Sequence, residues 1–386
     1  MRILHIVTLV AADGSFGGPV RVAFNLAREL QAHGHDVIVA GTTRGYDPIP
    51  TTIGDVPVRL WRAHQVVPFA GFLGIFAPAL FFWMWRHHRE FDVVHVHMAR
   101  DMVSLPAAAL ALVLGKRVIL QTHGMVDESD HPLAPLLDRI LTRPVLRRAK
   151  AVLFLTEQER RDLIHVAERV VLHELPNGVP SIEATSGRSN ASATPEVLFL
   201  ARLHERKHPQ LFVEAAGVLL AEGLWASFVL VGPDQGEGSN VLRAIEKLGE
   251  HARSVSWQGA LPLEATLERM KRASIYVLPS VNEPFPMSVL EAMSVGLPVI
   301  ATESCGLADV IRESGSGIVV NGSKESLVSA MRRLLTDGQL REQMSSAART
   351  TATELCGMGK IGTRLIDIYE RDGVSTYSTR AKAGRG

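Results

Sequence analysis

Short apolar runs alternate with stretches of helical periodicity along most of this chain, and that alternation leaves few folds open to it. In the first half the runs are Ile3–Val10, Asp36–Ala40, Val58–Trp61, Val93–His97, Arg117–Gln121 and Ala151–Leu155. Each is brief, rich in β-branched residues or leucine, and lacks strict in/out alternation. Strands read this way when they are parallel and covered on both faces by helices. Pro19–His33, between the first two runs, places Val22, Phe24, Leu26, Ala27 and Leu30 at the spacing of a crossover helix. The punctuation is βαβ and predicts an α/β fold with a doubly wound parallel sheet.

The pattern occurs twice. Ser181–Pro195 is rich in Ser, Thr and Ala with almost no large apolar residue, the composition of a linker. Beyond it strands are expected at Val197–Leu200, Ser227–Val231, Val255–Gln258, Ile275–Leu278, Pro298–Ala301 and Gly317–Val320. Helices fill the gaps at Pro209–Glu222, Val241–Glu250, Leu263–Arg272, Ser288–Ser294 and Lys324–Thr336. The expected organisation is a first Rossmann-like domain over 1–180, a linker over 181–195 and a second domain over 196–354. A C-terminal helix at about 355–371 is expected to return to the first domain, and the small polar tail 372–386 to be disordered. Two such halves are expected to face one another across a ligand cleft.

Several classes fall away on charge and cysteine usage. Lys plus Arg total 41 against 40 Asp plus Glu, which gives no electrostatic case for nucleic acid. Cys305 and Cys356 lie far apart with no CxxC spacing, and read as reduced thiols of a cytoplasmic protein. Arg2 followed by an apolar stretch resembles a short signal peptide, yet it runs directly into a glycine turn and an amphipathic helix, so a first buried strand explains it better. Val66–Trp85 is 20 residues without a charge, followed by Arg86-His87-His88-Arg89. It contains Gly71, Gly74, Pro68 and Pro78 and sits between strands of one unit. Burial in the domain, an aromatic face lying on a bilayer with basic residues at its edge, and a membrane span all stay open at this stage.

Three segments carry chemistry. Gly14-Ser15-Phe16-Gly17-Gly18-Pro19 turns the first strand into the first helix, where free N–H groups can meet an anion. Its spacing is not that of a dinucleotide fingerprint, and a plain turn is the competing reading. Arg202 and Lys207 follow a strand end, a planar fork and a point charge suited to a diphosphate; a solvated basic loop is the alternative. In Pro279–Thr302, Glu283 lies on a loop after a strand and Glu291 eight residues later inside a helix. Pro284 and Pro286 keep the start extended and the helical pattern resumes at Ser288, so both acids flank a helix N-terminus that favours anions. Two surface acids at a helix start would look the same. His95 and His97 share one face of a strand, and without a third ligand at recognisable spacing they read as hydrogen-bonded core or cleft-edge residues rather than metal ligands. His123 ends a strand and opens a glycine loop, a better cleft position. Asp127-Glu128-Ser129-Asp130 reads as a solvated turn, and His87 and His88 as surface.

Taken together these segments resemble family 4 of the retaining GT-B glycosyltransferases. Glu283-x7-Glu291 with the Ala-Met-Ser-x-Gly-Leu-Pro-Val-Ile-Ala-Thr run after it is similar to that family's signature. So are the Gly-Gly-Pro-x-Arg-Val-Ala start, His123-Gly124-Met125, Pro176-Asn177-Gly178-Val179, and Arg202 with Lys207. The resemblance implies two Rossmann-like domains of the GT-B fold. It also implies transfer of a hexosyl group from a UDP- or GDP-linked sugar to a hydroxyl of a glycan or lipid-linked acceptor, in cell-surface polysaccharide or glycolipid synthesis at the cytoplasmic membrane face. By the same resemblance, Arg202 and Lys207 hold the donor diphosphate and Glu291 the ribose. Glu283 with the backbone of Phe285, Pro286, Met287 and Ser288 meets the transferred sugar, Gly17 and Gly18 face the diphosphate and acceptor, and His123 lies beside the donor sugar. Glu283, His123, Arg202 and Lys207 would be the catalytic set. Two side-chain cations remove the need for a metal, and no cofactor is expected beyond the nucleotide-sugar substrate. A double displacement would need a carboxylate nucleophile at the anomeric carbon. The family instead resembles enzymes in which the acceptor attacks on the leaving group's own face. Where relatives often carry Gly-Gly-x-x-Glu-x-Ile, this chain has Cys305-Gly306-Leu307-Ala308-Asp309-Val310-Ile311, with a shorter acid at Asp309. A sugar-nucleotide-binding protein with an epimerase or regulatory role is the competing reading.

Overall fold

Strands with two apolar faces need helices on both sides, and the chain supplies that arrangement in each of two units. A computed structural model describes residues 1–13, 17–66, 74–127, 134–180, 194–262 and 265–371. The Gly14–Phe16 turn, part of the Val66–Trp85 segment (67–73), Glu128–Asp130, the linker up to 193 and the tail from 372 lie outside the described residues. One unit comprises 1–11, 19–177 and 359–386, and the other 12–18 and 178–358.

In the first unit the strands are β1 (Arg2–Ala11), β2 (Asp36–Arg44), β3 (Thr52–Ile53), β4 (Val56–Arg62), β5 (His64–Gln65), β6 (Ile75–Phe76), β7 (Val93–His97), β8 (Arg117–Gln121), β9 (Ala151–Phe154) and β10 (Leu172–Glu174). Eight of them form one sheet in the order β10-β9-β8-β7-β1-β2-β4-β3, parallel except for β3, while β5 and β6 pair separately. The winding reverses at β1, which pairs with β2 on one side and β7 on the other. Helix α1 (Gly17–Ala32) buries the five apolar positions that its period marks, Val22 through Leu30. Helices α2 (Pro78–His87), α3 (Ser104–Val113), α4 (Ala134–Leu137), α5 (Arg143–Arg148) and α6 (Glu157–Val166) complete the layers. The carboxylate of Asp101 accepts from the amides of Val103 and Ser104 at 2.7 and 2.6 Å, satisfying donors that the start of α3 leaves open. Thr156 serves α6 in the same way, accepting from the Glu159 amide at 3.2 Å.

The second unit holds β11 (Glu196–Leu200), β12 (Ser227–Val231), β13 (Val255–Trp257), β14 (Ile275–Leu278), β15 (Val299–Thr302) and β16 (Gly317–Val320). Their order is β13-β12-β11-β14-β15-β16, every pairing parallel. The chain therefore starts at the centre, winds outward, returns to β14 beside β11 and winds the other way. Ligands of open α/β sheets bind beyond the carboxyl ends of the two strands where this reversal occurs. Helices α7 (Pro209–Ala221), α8 (Gly238–Glu246), α9 (Thr266–Lys271), α10 (Met287–Ser294), α11 (Ala308–Ser314), α12 (Lys324–Thr336) and α13 (Gly338–Cys356) cover the faces. After Gly357 a last helix, α14 (Met358–Glu370), belongs to the first unit, where Tyr369 is fully buried and its carbonyl accepts from Arg117 at 2.8 Å. Both units are parallel-sheet α/β domains, in agreement with the alternation in the sequence.

Candidate functional site

In the second unit the carboxyl ends of β11 and β14 carry the residues that the sequence singles out. Just past β11 the backbone of Ala201 runs against Gly232 at the end of β12. A Cβ at Gly232 would lie 1.9 Å from the Ala201 carbonyl oxygen, so only glycine permits this approach. Arg202 emerges there and donates to Gln235 Oε1 at 2.8 Å. Burial lowers its pKa, opposed by the attraction of Glu283. A 3-10 turn over Glu205–Lys207 and a left-handed His208 (φ 50°) then lead into Pro209, the first residue of α7.

That turn aims Lys207 at the loop after β14, where its ammonium rests on the Glu283 carboxylate. The two side chains keep only 12% and 17% of their surface exposed. Burial lowers the Lys207 pKa, against the pull of Glu283 upward. Ser280 Oγ lies 3.0 Å from the same carboxylate oxygen. Arg206 donates through its guanidinium to the Asn282 carbonyl at 2.7 Å, and its own carbonyl accepts from the Val281 amide at 2.9 Å. The Arg202–Lys207 stretch and the Ser280–Glu283 loop are thus joined by backbone as well as side chain.

The Glu283 loop is held from its other side by the segment after β15. The Gly306 amide donates to the Glu283 carbonyl at 2.8 Å, and the Glu283 amide to the Ser304 carbonyl at 3.3 Å. A Cβ on Gly306 would meet the Pro284 carbonyl oxygen at 1.7 Å, so the close fit requires glycine. Asn282 (φ 51°) makes the turn, and α10 starts at Met287 after an extended Pro286. The first amides of such a helix lack intrahelical acceptors and point at whatever stands before it. Phe285 and Ser288 are half-buried, Pro286 and Met287 buried, and Glu291, one turn in, is buried too. The structure therefore brings Arg202, Lys207 and Glu283 together, with Phe285–Ser288 and Glu291 on the helix start that follows. Asp309 stands apart, on the surface in a 2.7 Å pair with Arg312.

His123 belongs to the first unit, while Gly17 and Gly18 open α1. His123 has a left-handed backbone (φ 53°) held by a residue that sequence reasoning missed, Glu159. The buried Glu159 carboxylate accepts from Thr122 Oγ1 and the Gly124 amide, both at 2.6 Å, and from the Leu155 amide at 2.7 Å. Burial raises its pKa despite those bonds. A Glu in the first turn of a charged helix carries no sequence signal of such a role. The His123 ring stacks on His97, with its Nε2 2.8 Å from His97 Nδ1. His97 Nε2 lies 3.1 Å from His5 Nδ1, His5 Nε2 3.4 Å from Tyr369 Oη, and Tyr369 Oη 2.6 Å from His95 Nδ1. The strand histidines are hydrogen-bonded core residues, joined by partners from β1 and α14. Burial lowers the pKa of His5 and of His123 to about 3, and those of His95 and His97 well below the usual value. His5, His95 and His97 offer ligand atoms spread up to 4.8 Å apart.

Residues 16–181 match the family described as Glycosyltransferase Family 4, and residues 183–351 that described as Glycosyl transferases group 1. Among curated proteins the chain is similar to a D-inositol 3-phosphate glycosyltransferase of Corynebacterium jeikeium, 26% identical over 88% of both chains. It is also similar to an alpha-D-kanosaminyltransferase of Streptomyces kanamyceticus, 26% identical over 79% of this chain and 85% of the relative. Among solved structures it resembles sucrose-phosphate synthase from Thermosynechococcus elongatus (TM-score 0.69, 21% identity, 96% of this chain and 98% of that one). Anabaena HepE, crystallised with UDP and glucose, is similar as well (TM-score 0.74, 17% identity, 95% and 98%).

Two outcomes follow from these contacts. Gly306→Ala should push the Glu283–Pro284 loop away from the segment after β15 and lower unfolding free energy by about 1–3 kcal/mol in denaturant titrations; an unchanged midpoint would refute the close approach. The folded His5 ring takes a proton only near pH 3, whereas an unfolded histidine does so near 6.5. Between these values the unfolded chain binds more protons, so stability is complete above pH 6.5 and declines on acidification. His5 alone accounts for roughly 1.4 kcal/mol per pH unit in that window. Denaturation at pH 7.5 and 5.5 reads the slope, and equal stabilities would contradict the buried neutral rings.

Proposed function

The chain belongs to family 4 of the GT-B glycosyltransferases and is a transferase, and on that premise we propose that it moves a hexosyl group, with retention of configuration, from a nucleotide diphosphate sugar to a hydroxyl of a glycan or lipid-linked acceptor. The observation that carries the reading is the convergence of Arg202, Lys207 and Glu283 at the strand ends where the second sheet reverses. Two cations and a helix start suit the donor diphosphate. The Lys207–Glu283 pair is the resting arrangement, in which each charge satisfies the other until a ligand brings its own. When the diphosphate arrives, Lys207 turns to it and the Glu283 carboxylate becomes an acceptor for a sugar hydroxyl. Glu291, one turn into α10, takes the ribose. Of the uridine and guanosine diphosphate donors expected, the similarity to HepE crystallised with UDP and glucose supports uridine.

In this mechanism the acceptor hydroxyl attacks on the face the diphosphate leaves, and a phosphate oxygen helps remove its proton. Arg202 and Lys207 stabilise the charge that develops on the departing group, which is electrostatic catalysis by fixed charges and requires no metal. Gly17, Gly18 and His123 are assigned to the acceptor and sugar side. Lys207→Ala is expected to lower transfer by roughly 10²–10³-fold, and Glu283→Gln to abolish most of it while the fold persists. Titration calorimetry with UDP, GDP and ADP and their hexose conjugates should find one base bound selectively and lost in Arg202→Ala. Full turnover by Glu283→Gln would remove the role given to that residue.

A second part of the proposal is contact with the cytoplasmic membrane face during synthesis of a surface polysaccharide or glycolipid. Helix α2 buries Leu80 and Met84 but leaves Phe82 and Trp85 66% and 54% exposed, with Arg86 in its last turn and Arg89 just beyond. Aromatic side chains beside basic ones suit an anionic interface. Among the described residues no helix is long and apolar enough to cross a membrane. The protein should float with vesicles containing anionic lipid, and Phe82→Ser with Trp85→Ser should leave it at the bottom with an unchanged melting point. Equal flotation of that folded variant would dismiss α2 as the contact.

A further inference from the structure

We infer that His5, His97 and Tyr369 are positioning residues that fix the His123 ring as its Nε2–H tautomer and leave its Nδ1 lone pair as an acceptor for a ligand hydroxyl. The inference deepens the reading of His123 as a sugar-side residue and rests on it.

The argument is a count of protons. A neutral imidazole has one N–H and one lone pair, so in a chain of hydrogen-bonded rings the direction at one end fixes the direction at every other. His5, His95 and His97 are fully buried, and burial keeps the rings neutral. The far end of the chain is set by Gln121. Its amide nitrogen donates to Asn177 Oδ1 at 3.3 Å, which commits the amide orientation and leaves Oε1 as the inward atom. His95 Nε2 and Gln121 Oε1 are the two ring or amide atoms in the first unit that are buried with no hydrogen-bond partner among the described residues. The Gln121 side chain also favours the protonated form of His95. His97 pairs with Gln121 across β7 and β8, so His95, two residues back on β7, presents its ring on the same face as the Gln121 side chain. An acceptor beside an atom able to carry a proton is satisfied only if His95 bears its hydrogen on Nε2. The opposite tautomer would set two lone pairs against each other.

The rest follows bond by bond. With its hydrogen on Nε2, His95 accepts at Nδ1 from the Tyr369 hydroxyl, 2.6 Å away. Tyr369 Oη then accepts from His5 Nε2–H at 3.4 Å, His5 Nδ1 from His97 Nε2–H at 3.1 Å, and His97 Nδ1 from His123 Nε2–H at 2.8 Å. His123 is the one ring of the four that is not fully buried. Its Nδ1 makes no hydrogen bond with any described residue and is left as a bare acceptor. The ring plane is set as well, since His123 stacks on His97 at 12° and His97 on His95 at 3°. Glu159 fixes the backbone of the same residue through Thr122 and Gly124.

The test is the protonation pattern of ¹⁵N-histidine-labelled protein, read in long-range proton–nitrogen spectra at neutral pH. The wild-type protein should show His5, His97 and His123 as Nε2–H rings. In Tyr369→Phe, His5 Nε2–H loses its acceptor, so His5 moves toward Nδ1–H, and His97 and His123 follow. The His123 tautomer should therefore become mixed, although the changed residue does not touch it. Transfer by this variant should lose roughly tenfold in kcat, with affinity for the free nucleoside diphosphate in calorimetry unchanged. A wild-type His123 found as Nδ1–H overturns the inference whether or not Tyr369→Phe folds. So does a His123 signal that ignores the substitution, or stoichiometric zinc in the purified protein, which would make the rings ligands. Full activity of His123→Ala, with the tautomer coupling present, would instead withdraw the sugar-side role of His123 and leave the relay standing.

Discussion

The Lys207–Glu283 pair holds together two pieces of chain that lie 76 residues apart in sequence. Lys207 comes from the turn after β11 and Glu283 from the loop after β14, the two strands between which the sheet reverses. A pair this far withdrawn from water contributes little net stability, because desolvation offsets most of the Coulomb gain. What it fixes is geometry. The bonds from Arg206 to Asn282 and Val281, and from Gly306 and Ser304 to Glu283, leave the loop little freedom to relax. Arg202, the start of α10 and the buried Glu291 are arranged around a loop positioned in this way.

The first unit solves a related problem with neutral groups. His123 occupies a left-handed backbone that a non-glycine residue adopts only under constraint. The constraint comes from Glu159 on the backbone side and from the stacked rings on the other. Each unit thus carries a polar network tied to one exposed or half-exposed functional group, ionic in one and neutral in the other. Partly satisfied buried networks are costly. The two unpartnered atoms at the His95–Gln121 end mark where this cost is concentrated.

Much of this was legible in the sequence, and the parts that were not share a cause. The twelve strand runs named from apolar patterning all appear, displaced by at most a few residues at their ends, because parallel strands buried on both faces have a composition of their own. The Glu283-x7-Glu291 segment revealed itself because a loop acid, two prolines and a helix start are contiguous. β10 was too short to show a period, and α13 too mixed in composition. Neither Glu159 nor Gly306 announces its role, since each acts through a contact formed only when distant segments meet. The histidines are the clearest case. His95 and His97, read as core or cleft-edge residues, are buried, and their partners His5, His123 and Tyr369 lie as many as 274 positions away in the sequence. Local periodicity holds no information about such a pairing.

Tyr369 lies on α14, and its hydroxyl sits among rings contributed by β1 and β7. The second unit is almost wholly one continuous stretch, 178–358, inserted between the parts of the first. During synthesis on a ribosome the segments of the second unit are therefore all available before α14 emerges. Until then His5 and His95 lack the hydroxyl that joins them. The unit begun first is thus completed only once α14 has been made.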